Sequence, residues 1–177
     1  TRISRGLGRT FQINTLFRSL TALDNVALAI AERENLASSM VRIASNQSHI
    51  TDESRVLLAS LGLSSDVSTQ ISELPYGKQR LVELAIALGM KPSVLLLDEP
   101  AAGVPSIESS RILEVLQSLP AELSILIIEH DMDLVFRFAK SISVLVNGAL
   151  FVEGTPNEIA NDPRVRQVYL GEEEVHV

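Results

Sequence analysis

The chain has 177 residues, of which 46% are hydrophobic and 4% aromatic, and its formal net charge is −7 at neutral pH. This length and apolar content are sufficient for one domain with an aliphatic core, which excludes a disordered tail. The acidic balance disfavours binding to nucleic-acid backbones, and the absence of cysteine excludes disulfides and thiolate metal sites.

The first part of the chain is predicted to begin with a loop and to continue as a helix. Residues 1–20 are typical of a loop with a short extended segment. Thr21 or Asp24 is expected to cap a helix, because a side-chain oxygen there can accept a hydrogen bond from the first turn. The apolar spacing of this helix continues to Leu36.

Two further helices are predicted before the middle of the chain. The polar residues 45–48 indicate a break, and a second helix is expected to begin at Asp52 and to end before Gly62. Residues 64–72 are polar and are predicted to form a loop. Residues 77–90 carry apolar side chains at helical spacing.

The second half alternates between strand and helix patterns, which indicates an α/β fold with a partly parallel sheet. Strands are predicted at residues 94–97, 123–128, 142–146 and 149–152, helices at 107–119 and 132–139, and a short helix after Thr155 and Pro156. The Asn147-Gly148 pair predicts a tight turn between the last two strands.

Asp98 and Glu99 directly follow four apolar residues of a predicted buried strand. Open α/β sheets bind ligands beyond the carboxyl ends of their strands. We therefore expect Asp98 to hold Mg²⁺ and Glu99 to polarise a water molecule for attack on phosphorus. An acidic strand end at a solvated loop is the alternative interpretation, and Pro100 disfavours it by fixing a turn.

His130 also follows an apolar strand and is flanked by Glu129 and Asp131. An imidazole at this position can donate a hydrogen bond to a phosphate oxygen or orient a water molecule. Alone, such a histidine is more often a surface or capping residue. Its position relative to the Asp98 strand favours the functional interpretation.

Gly77 is expected at a helix start, where free backbone amides suit an anion and Lys78 and Arg80 add positive charge. An ordinary helix cap is the alternative. The Gly77-Lys78 pair is not a P-loop, because Ser72 and Gln79 occupy positions where that motif needs glycine and a hydroxyl residue. Gln12 is uninformative by itself.

The order and spacing of these motifs resemble the ATP-binding subunit of ABC transporters. Gln12 matches the Q-loop and His130 the switch histidine. The Walker B motif, the signature and the D-loop are matched by residues 94–99, 74–78 and 101–105. A finer likeness to branched-chain amino acid importers is carried by residues 8–12, 74–77, 99–103, 128–132 and 169–171.

The resemblance implies roles for single residues. Asp98 would hold Mg²⁺, Glu99 would be the general base, His130 would contact the γ-phosphate of ATP, and Gln12 would lie near the metal and the attacking water. The signature region would bind the ATP of a partner subunit, mainly through the Gly77 amide, and consists of Leu74, Pro75, Tyr76, Gly77 and Lys78.

The chain departs from the family pattern at several of these positions. Pro75 stands in place of the signature serine and lacks an N–H group. Tyr76 replaces glycine, Lys78 replaces glutamine, and Pro105 replaces the D-loop aspartate. The sequence therefore does not establish the contacts that the signature serine and the D-loop aspartate make in the family. It also does not establish how Pro75 and Pro105 affect activity.

The resemblance also implies a domain organisation around a partial P-loop NTPase core with a helical subdomain. The predicted parts are a Q-loop region at 1–20, a helical subdomain with the signature at 21–90, an α/β core part with Walker B and His130 at 91–154, and a helical tail at 155–177. Residues 13–48 would face the permease.

The implied partners are a second ATP-binding subunit, as a homo- or heterodimer, transmembrane permease subunits and, indirectly, a periplasmic substrate-binding protein. Nucleic acid is not expected as a partner. The implied location is peripheral, at the cytoplasmic face of the inner membrane. Urea or a related amide is an alternative substrate, and a non-catalytic permease-docking module or a non-transport ABC ATPase is an alternative function.

In this family a Gly-rich loop with a lysine precedes the Q-loop, and none precedes Gln12 here. We therefore interpret the chain, which begins at Thr1, as the C-terminal part of such a subunit. Alone, it is expected neither to bind ATP tightly nor to hydrolyse it. One side of its sheet is expected to expose apolar surface.

Overall fold

The computed structural model describes residues 7–9, 16–36, 40–100, 102–104 and 106–170. The chain divides into two compact units, residues 1–128 and residues 129–177. Within them, no described helix combines the length and apolar character needed to cross a membrane.

The described residues of unit 1 form a small sheet and four α-helices. The strands are β1 (Leu7–Arg9), β2 (Val94–Asp98) and β3 (Ser124–Ile128), and the helices are α1 (Ala22–Arg33), α2 (Met40–Ser60), α3 (Tyr76–Gly89) and α4 (Ser106–Gln117). Two short 3₁₀ turns, Ser64–Asp66 and Ile71–Glu73, lie in the segment that was predicted to be a loop.

The three strands are parallel and lie in the order β1-β2-β3. In the register, Leu7 pairs with Val94 and Asp98 pairs with Ile128. The central strand β2 buries Leu95 and Leu97. The parallel sheet predicted from the alternating pattern is therefore present, and the carboxyl ends of β2 and β3 meet at one edge.

Helix α1 begins where the sequence predicts. Thr21 is the N-cap residue, and its hydroxyl accepts a hydrogen bond from the Asp24 amide at 3.1 Å. The Asp24 carboxylate in turn accepts one from the Thr21 amide at 3.2 Å. This reciprocal capping satisfies two amides that the helix cannot pair internally.

Helix α2 corrects the prediction of a break at residues 45–48, because it runs without interruption from Met40 to Ser60. That polar segment contains no glycine or proline, so its backbone can remain helical, and the Ser48 side chain is exposed. Gly62, with φ of +76°, follows the helix end as expected.

The core of unit 1 lies mainly among the helices. Helices α1, α2 and α3 bury aliphatic side chains almost completely, among them Val26, Ile30, Leu58 and Val82. A Cβ on Gly89 would lie 3.3 Å from Ile30 Cγ1, so α1 and α3 approach closely at this position. Together these three helices form what we call the helical layer.

Arg33 connects the three helices of this layer through polar contacts. Its guanidinium donates to both Glu53 oxygens at 2.8 and 2.9 Å, to Glu34 at 2.8 Å and to the Gly89 carbonyl at 2.7 Å. Lys91 lies 3.0 Å from Glu53. The hydrogen bonds from Arg33 lower the pKa of Glu53 to about 2.

The sheet is less completely covered than the helical layer. Leu126 and Ile128 alternate along β3, and each is 59% exposed. Part of the sheet therefore exposes apolar side chains, as the sequence predicts.

Unit 2 contains helix α5 (Met132–Phe138), strands β4 (Ile142–Val146) and β5 (Ala149–Gly154), helices α6 (Pro156–Asn161) and α7 (Pro163–Val165), and a final π-helical turn, Arg166–Leu170. Strands β4 and β5 form an antiparallel hairpin. Its small core consists of Ile142, Val144, Ile159 and Val165.

The hairpin turn and the start of α6 agree with their predictions. Asn147 and Gly148 both have positive φ, +52° and +79°, which is the conformation that an Asn-Gly turn requires. Thr155 caps α6 through a reciprocal hydrogen bond with Glu158, and Pro156 is the first helical residue.

Candidate active site

Asp98 and Glu99 lie together at the carboxyl end of β2. Asp98 is the last residue of the strand, and the Glu99 amide donates a hydrogen bond to the Ile128 carbonyl at 2.9 Å. Both residues are partly buried. The backbone bond extends the pairing of β2 with β3 by one residue, so the acidic pair is fixed at the edge of the sheet.

Glu99 has a left-handed backbone conformation, with φ of +46°. Such a conformation is unusual for a residue with a Cβ and is concentrated at functional sites. The Ala102 amide donates to the Glu99 carbonyl at 3.1 Å, which closes a turn directly after the strand. The chain therefore changes direction at Glu99 and leaves its carboxyl group at the end of the sheet.

The signature region forms the start of α3, as the sequence predicts. Pro75 is the N-cap residue, Tyr76 is the first helical residue, and Gly77 is buried in the first turn. The amides of a first turn have no acceptor within their own helix. The buried Gln79 side chain donates to the Leu74 carbonyl at 2.8 Å and so fixes the chain as it enters the helix.

The two cations of this turn are both paired within the chain. Lys78 Nζ lies 2.8 and 2.9 Å from the Asp66 carboxylate oxygens, and this contact lowers the pKa of Asp66. Arg80 donates to Glu83 at 2.7 Å. The expectation that Lys78 and Arg80 simply add charge for an anion is therefore too simple, because each already binds a carboxylate.

Arg80 and Glu83 lie next to the acidic strand end. Their side chains are only 8% and 5% exposed. Burial raises the pKa of Glu83, and the Arg80 guanidinium opposes this shift. Together with Asp98 and Pro100 they line a small cavity of about 20 Å³.

His130 lies in unit 2, two residues after β3. Its imidazole is 74% exposed, whereas the Glu129 side chain is 2% exposed. The His130 amide donates to Glu129 Oε2 at 3.3 Å, and Nδ1 lies 4.0 Å from the same oxygen. Asp131 caps α5 by accepting from the Leu134 amide. The convergence of His130 with the acidic pair stays a prediction.

Other predicted site residues lie outside the described part of the chain. Gln12 belongs to residues 10–15, and Pro105 and residue 101 of the D-loop region are likewise outside it. Gly103 is described, and its φ of +71° shows that the segment after β2 needs glycine there.

A second acidic cluster could offer ligands to a metal ion. Glu34, His49 and Glu53 place ligand atoms within 4.8 Å of one another. Both carboxylates already accept hydrogen bonds from Arg33, and its positive charge opposes a divalent cation at the same place. We interpret this cluster as an ion-pair network of the helical layer.

Sequence reasoning missed several residues around the site. The Arg80–Glu83 pair has the i, i+3 spacing of helical neighbours, so this signal was available in the sequence. Asp66 lies twelve residues before Lys78 in an irregular segment, and no local pattern connects them. The burial of Glu129 depends on tertiary packing and has no sequence signal.

Comparison with known families gives two matches. The profile of the ABC transporter family matches residues 1–102. A profile described as branched-chain amino acid ATP-binding cassette transporter matches residues 150–175. The first match covers more than half of the chain, and it contains the candidate signature and the Asp98–Glu99 pair.

Curated relatives support the same family. The chain is 37% identical over 174 residues to the high-affinity branched-chain amino acid transport ATP-binding protein LivG of Escherichia coli, covering 94% of the chain and 68% of LivG. It is 35% identical over 173 residues to the lipopolysaccharide export system ATP-binding protein LptB of Acidithiobacillus ferridurans, covering 97% and 68%.

A solved structure has the same fold. The ADP conformation of MJ1267, an ATP-binding cassette of an ABC transporter, superposes with a TM-score of 0.76 at 28% identity, over 97% of the chain and 70% of MJ1267. The predicted α/β fold class is thereby confirmed. The chain belongs to the ABC transporter family as its ATP-binding, ATP-hydrolysing type of subunit.

Proposed function

We propose that this chain is part of the ATP-hydrolysing subunit that powers the import of branched-chain amino acids. The observation that carries the proposal is the consecutive acidic pair at the end of β2, with Glu99 in a left-handed conformation at the edge of the sheet. The likeness to LivG and the match of residues 150–175 to a branched-chain amino acid cassette profile support this substrate.

Glu99 is the proposed general base. Its carboxylate accepts a proton from the water that attacks the γ-phosphate of ATP, and the fixed turn after β2 holds it at the strand end. Proton acceptance by a positioned carboxylate contributes typically about 10²–10⁴-fold to a rate. His130 donates a hydrogen bond to a γ-phosphate oxygen in this proposal.

Asp98 and Gln12 are the proposed ligands of Mg²⁺. Their oxygen atoms are of the hard type that Mg²⁺ prefers, so the donor chemistry fits this ion. Bound Mg²⁺ would neutralise charge on the phosphate oxygens. Asp98 follows a buried strand directly and so supplies a carboxylate that is fixed by the sheet.

The turn at residues 74–78 is proposed to bind the ATP of a second subunit. The Gly77 amide lies in the first turn of α3, where the helix dipole and free amides favour a phosphate. Pro75 supplies no hydroxyl or N–H for this purpose. Lys78 contributes only to the extent that ATP competes with Asp66.

The partners follow from this arrangement. We propose a dimer of ATP-binding subunits attached to transmembrane permease subunits at the cytoplasmic face of the inner membrane. A periplasmic binding protein delivers the amino acid to the permease. Hydrolysis at the paired subunits then drives the permease between its two orientations.

The test uses the complete subunit assembled with its permease in proteoliposomes. ATP hydrolysis is measured for the wild type, for Glu99→Gln and for the control Glu122→Gln, which changes an exposed carboxylate of unit 1. We expect Glu99→Gln to slow turnover by roughly 10²-fold or more and the control to have little effect. Near-normal turnover by Glu99→Gln rejects the proposed base, and an inactive wild type favours a non-catalytic docking role.

Lipopolysaccharide export is a second candidate, because the similarity to LptB is almost as high as that to LivG. ATP hydrolysis in the same proteoliposomes distinguishes amino acid import from lipopolysaccharide export. Stimulation of ATP hydrolysis by leucine with its periplasmic binding protein supports the amino acid importer. Stimulation by lipopolysaccharide alone supports export, and stimulation by urea with a binding protein supports an amide importer.

A further inference from the structure

Tyr76 belongs to the first turn of α3 and lies beside the segment that follows β2. It is the first residue of the helix and is 38% exposed. Its ring atom Cε1 is 3.6 Å from the position that a Cβ on Gly103 would occupy. The ring therefore packs beside the Gly103 backbone, whose positive φ strains any larger residue.

Arg80 lies one helical turn after Tyr76 and connects it with Glu83. The guanidinium carbon is 5.1 Å from the centroid of the Tyr76 ring, a distance at which a cation is attracted to an aromatic face. The same guanidinium donates to Glu83 Oε2 at 2.7 Å. Tyr76, Arg80 and Glu83 thus form a continuous series of contacts along one side of α3.

The buried end of this series reaches the acidic strand end. Arg80 and Glu83 line the small cavity together with Asp98 and Pro100, and its apolar wall is formed by Leu84, Leu97, Ile112 and Leu116. Glu83 Oε1 is buried without a hydrogen-bond partner in the described part of the chain. A cavity of about 20 Å³ admits about one water molecule, and Glu83 is one of the residues that line it.

We propose that Tyr76, Arg80 and Glu83 are positioning residues that link the signature turn to the end of β2 within one subunit. The inference rests on the proposed function, in which Gly77 binds the partner's ATP while Asp98 and Glu99 act on the subunit's own ATP. The link transmits a shift at one nucleotide site to the other. A buried ion pair suits this role, because separating its charges in a low-dielectric interior is costly.

The first test replaces the exposed end of the link. Tyr76→Leu removes the aromatic face next to Arg80. The matched control Phe151→Leu removes a ring that is 37% exposed and lies 5.5 Å from the guanidinium carbon of Arg164, outside the proposed nucleotide sites. ATP hydrolysis by the complete transporter is measured against ATP concentration. We expect Tyr76→Leu to lower kcat roughly 10-fold and to reduce the Hill coefficient to about 1, with KM within about two-fold of wild type. Phe151→Leu should behave as wild type.

A second variant replaces the buried end. The double substitution Arg80→Met with Glu83→Leu exchanges the ion pair for apolar side chains of similar volume, which commonly preserves or raises stability. We expect its melting temperature to stay within about 3 °C of wild type or to rise. Its kcat and Hill coefficient should fall as they do in Tyr76→Leu.

The outcomes separate the link from other roles. A higher KM with unchanged kcat in Tyr76→Leu means that Tyr76 only helps to bind nucleotide, and it overturns the proposal. Wild-type kinetics in both variants, or a Hill coefficient of about 1 in the wild type, also overturns it. Failure of the proposed function differs from failure of the link, because in the first case the wild-type transporter would hydrolyse no ATP.

Discussion

The helical layer and the carboxyl end of the sheet are built in opposite ways. In the layer, apolar side chains such as Leu58 are fully buried, and Arg33 of α1 satisfies polar groups on α2 and α3. At the sheet end, Glu99 has a strained backbone and neighbouring strand β3 exposes Ile128. The layer is arranged for stability, whereas the sheet end accepts strain and exposure that stability alone would not favour.

This difference indicates that stability and chemistry depend on separate residues of unit 1. Substitutions in the helical layer should lower the free energy of unfolding and leave the chemistry of folded molecules unchanged. Substitutions at the end of β2 should impair the chemistry and leave the free energy of unfolding nearly unchanged. A substitution that strongly affects both quantities would break the comparison.

Asp98→Asn should have a large effect on activity and a small effect on folding. The amide keeps the shape of the carboxylate but loses the charge proposed to bind Mg²⁺. We expect the Mg²⁺ concentration for half-maximal ATP hydrolysis by the complete transporter to rise at least about 10-fold, with a melting temperature within about 3 °C of wild type. An unchanged Mg²⁺ requirement would remove Asp98 from the metal site.

Leu58→Ala should give the largest loss of stability. Leu58 is 0% exposed in the helical layer, so its truncation leaves a cavity and should cost about 2–5 kcal/mol in the free energy of unfolding. The matched control Leu126→Ala, at a site 59% exposed on β3, should cost no more than about 0.5 kcal/mol. Urea denaturation of both variants measures the difference, and equal losses would contradict the assignment of the core.

Arg33→Met should have an intermediate effect on stability. The substitution keeps much of the aliphatic stem but removes hydrogen bonds to Glu53, Glu34 and the Gly89 carbonyl. Leaving such groups without their donor should cost about 1–3 kcal/mol by urea denaturation. Arg55→Met, which changes an exposed arginine of α2, is the control, and the same loss in both variants would show that the network contributes little.

The pH dependence of stability should show the smallest effect. The folded-state pKa of Glu53, about 2, lies below its ordinary value of 4.5. The ion pair therefore contributes fully above about pH 4.5, and its contribution is lost as the pH falls toward 2. Glu53→Gln should flatten this part of the unfolding profile. Parallel profiles for Glu53→Gln and the wild type would contradict the assignment.

Much of the fold was predictable because local signals were strong. The capping of α1 by Thr21, the Asn147-Gly148 turn and the start of α6 at Pro156 all follow from residue types that favour one local conformation. The parallel pairing of β2 with β3 followed from two apolar runs separated by a helix.

Other features depended on tertiary structure and left no local signal. The polar segment 45–48 remains helical within α2, which composition alone cannot decide. The pairing of Lys78 with Asp66 and the left-handed conformation of Glu99 are set by packing around them. The position of Asp98 and Glu99 at a strand end was predictable. The buried Arg80–Glu83 pair beside them was not identified, although its i, i+3 spacing is a local signal.

The most direct test of the account is a cryo-electron microscopy structure of the complete transporter, carrying Glu99→Gln and trapped with ATP and Mg²⁺. The account predicts the Asp98 carboxylate at the metal, residue 99 beside the attacking water, and the His130 imidazole about 3 Å from a γ-phosphate oxygen. A structure in which Asp98 and residue 99 face away from the γ-phosphate would contradict it.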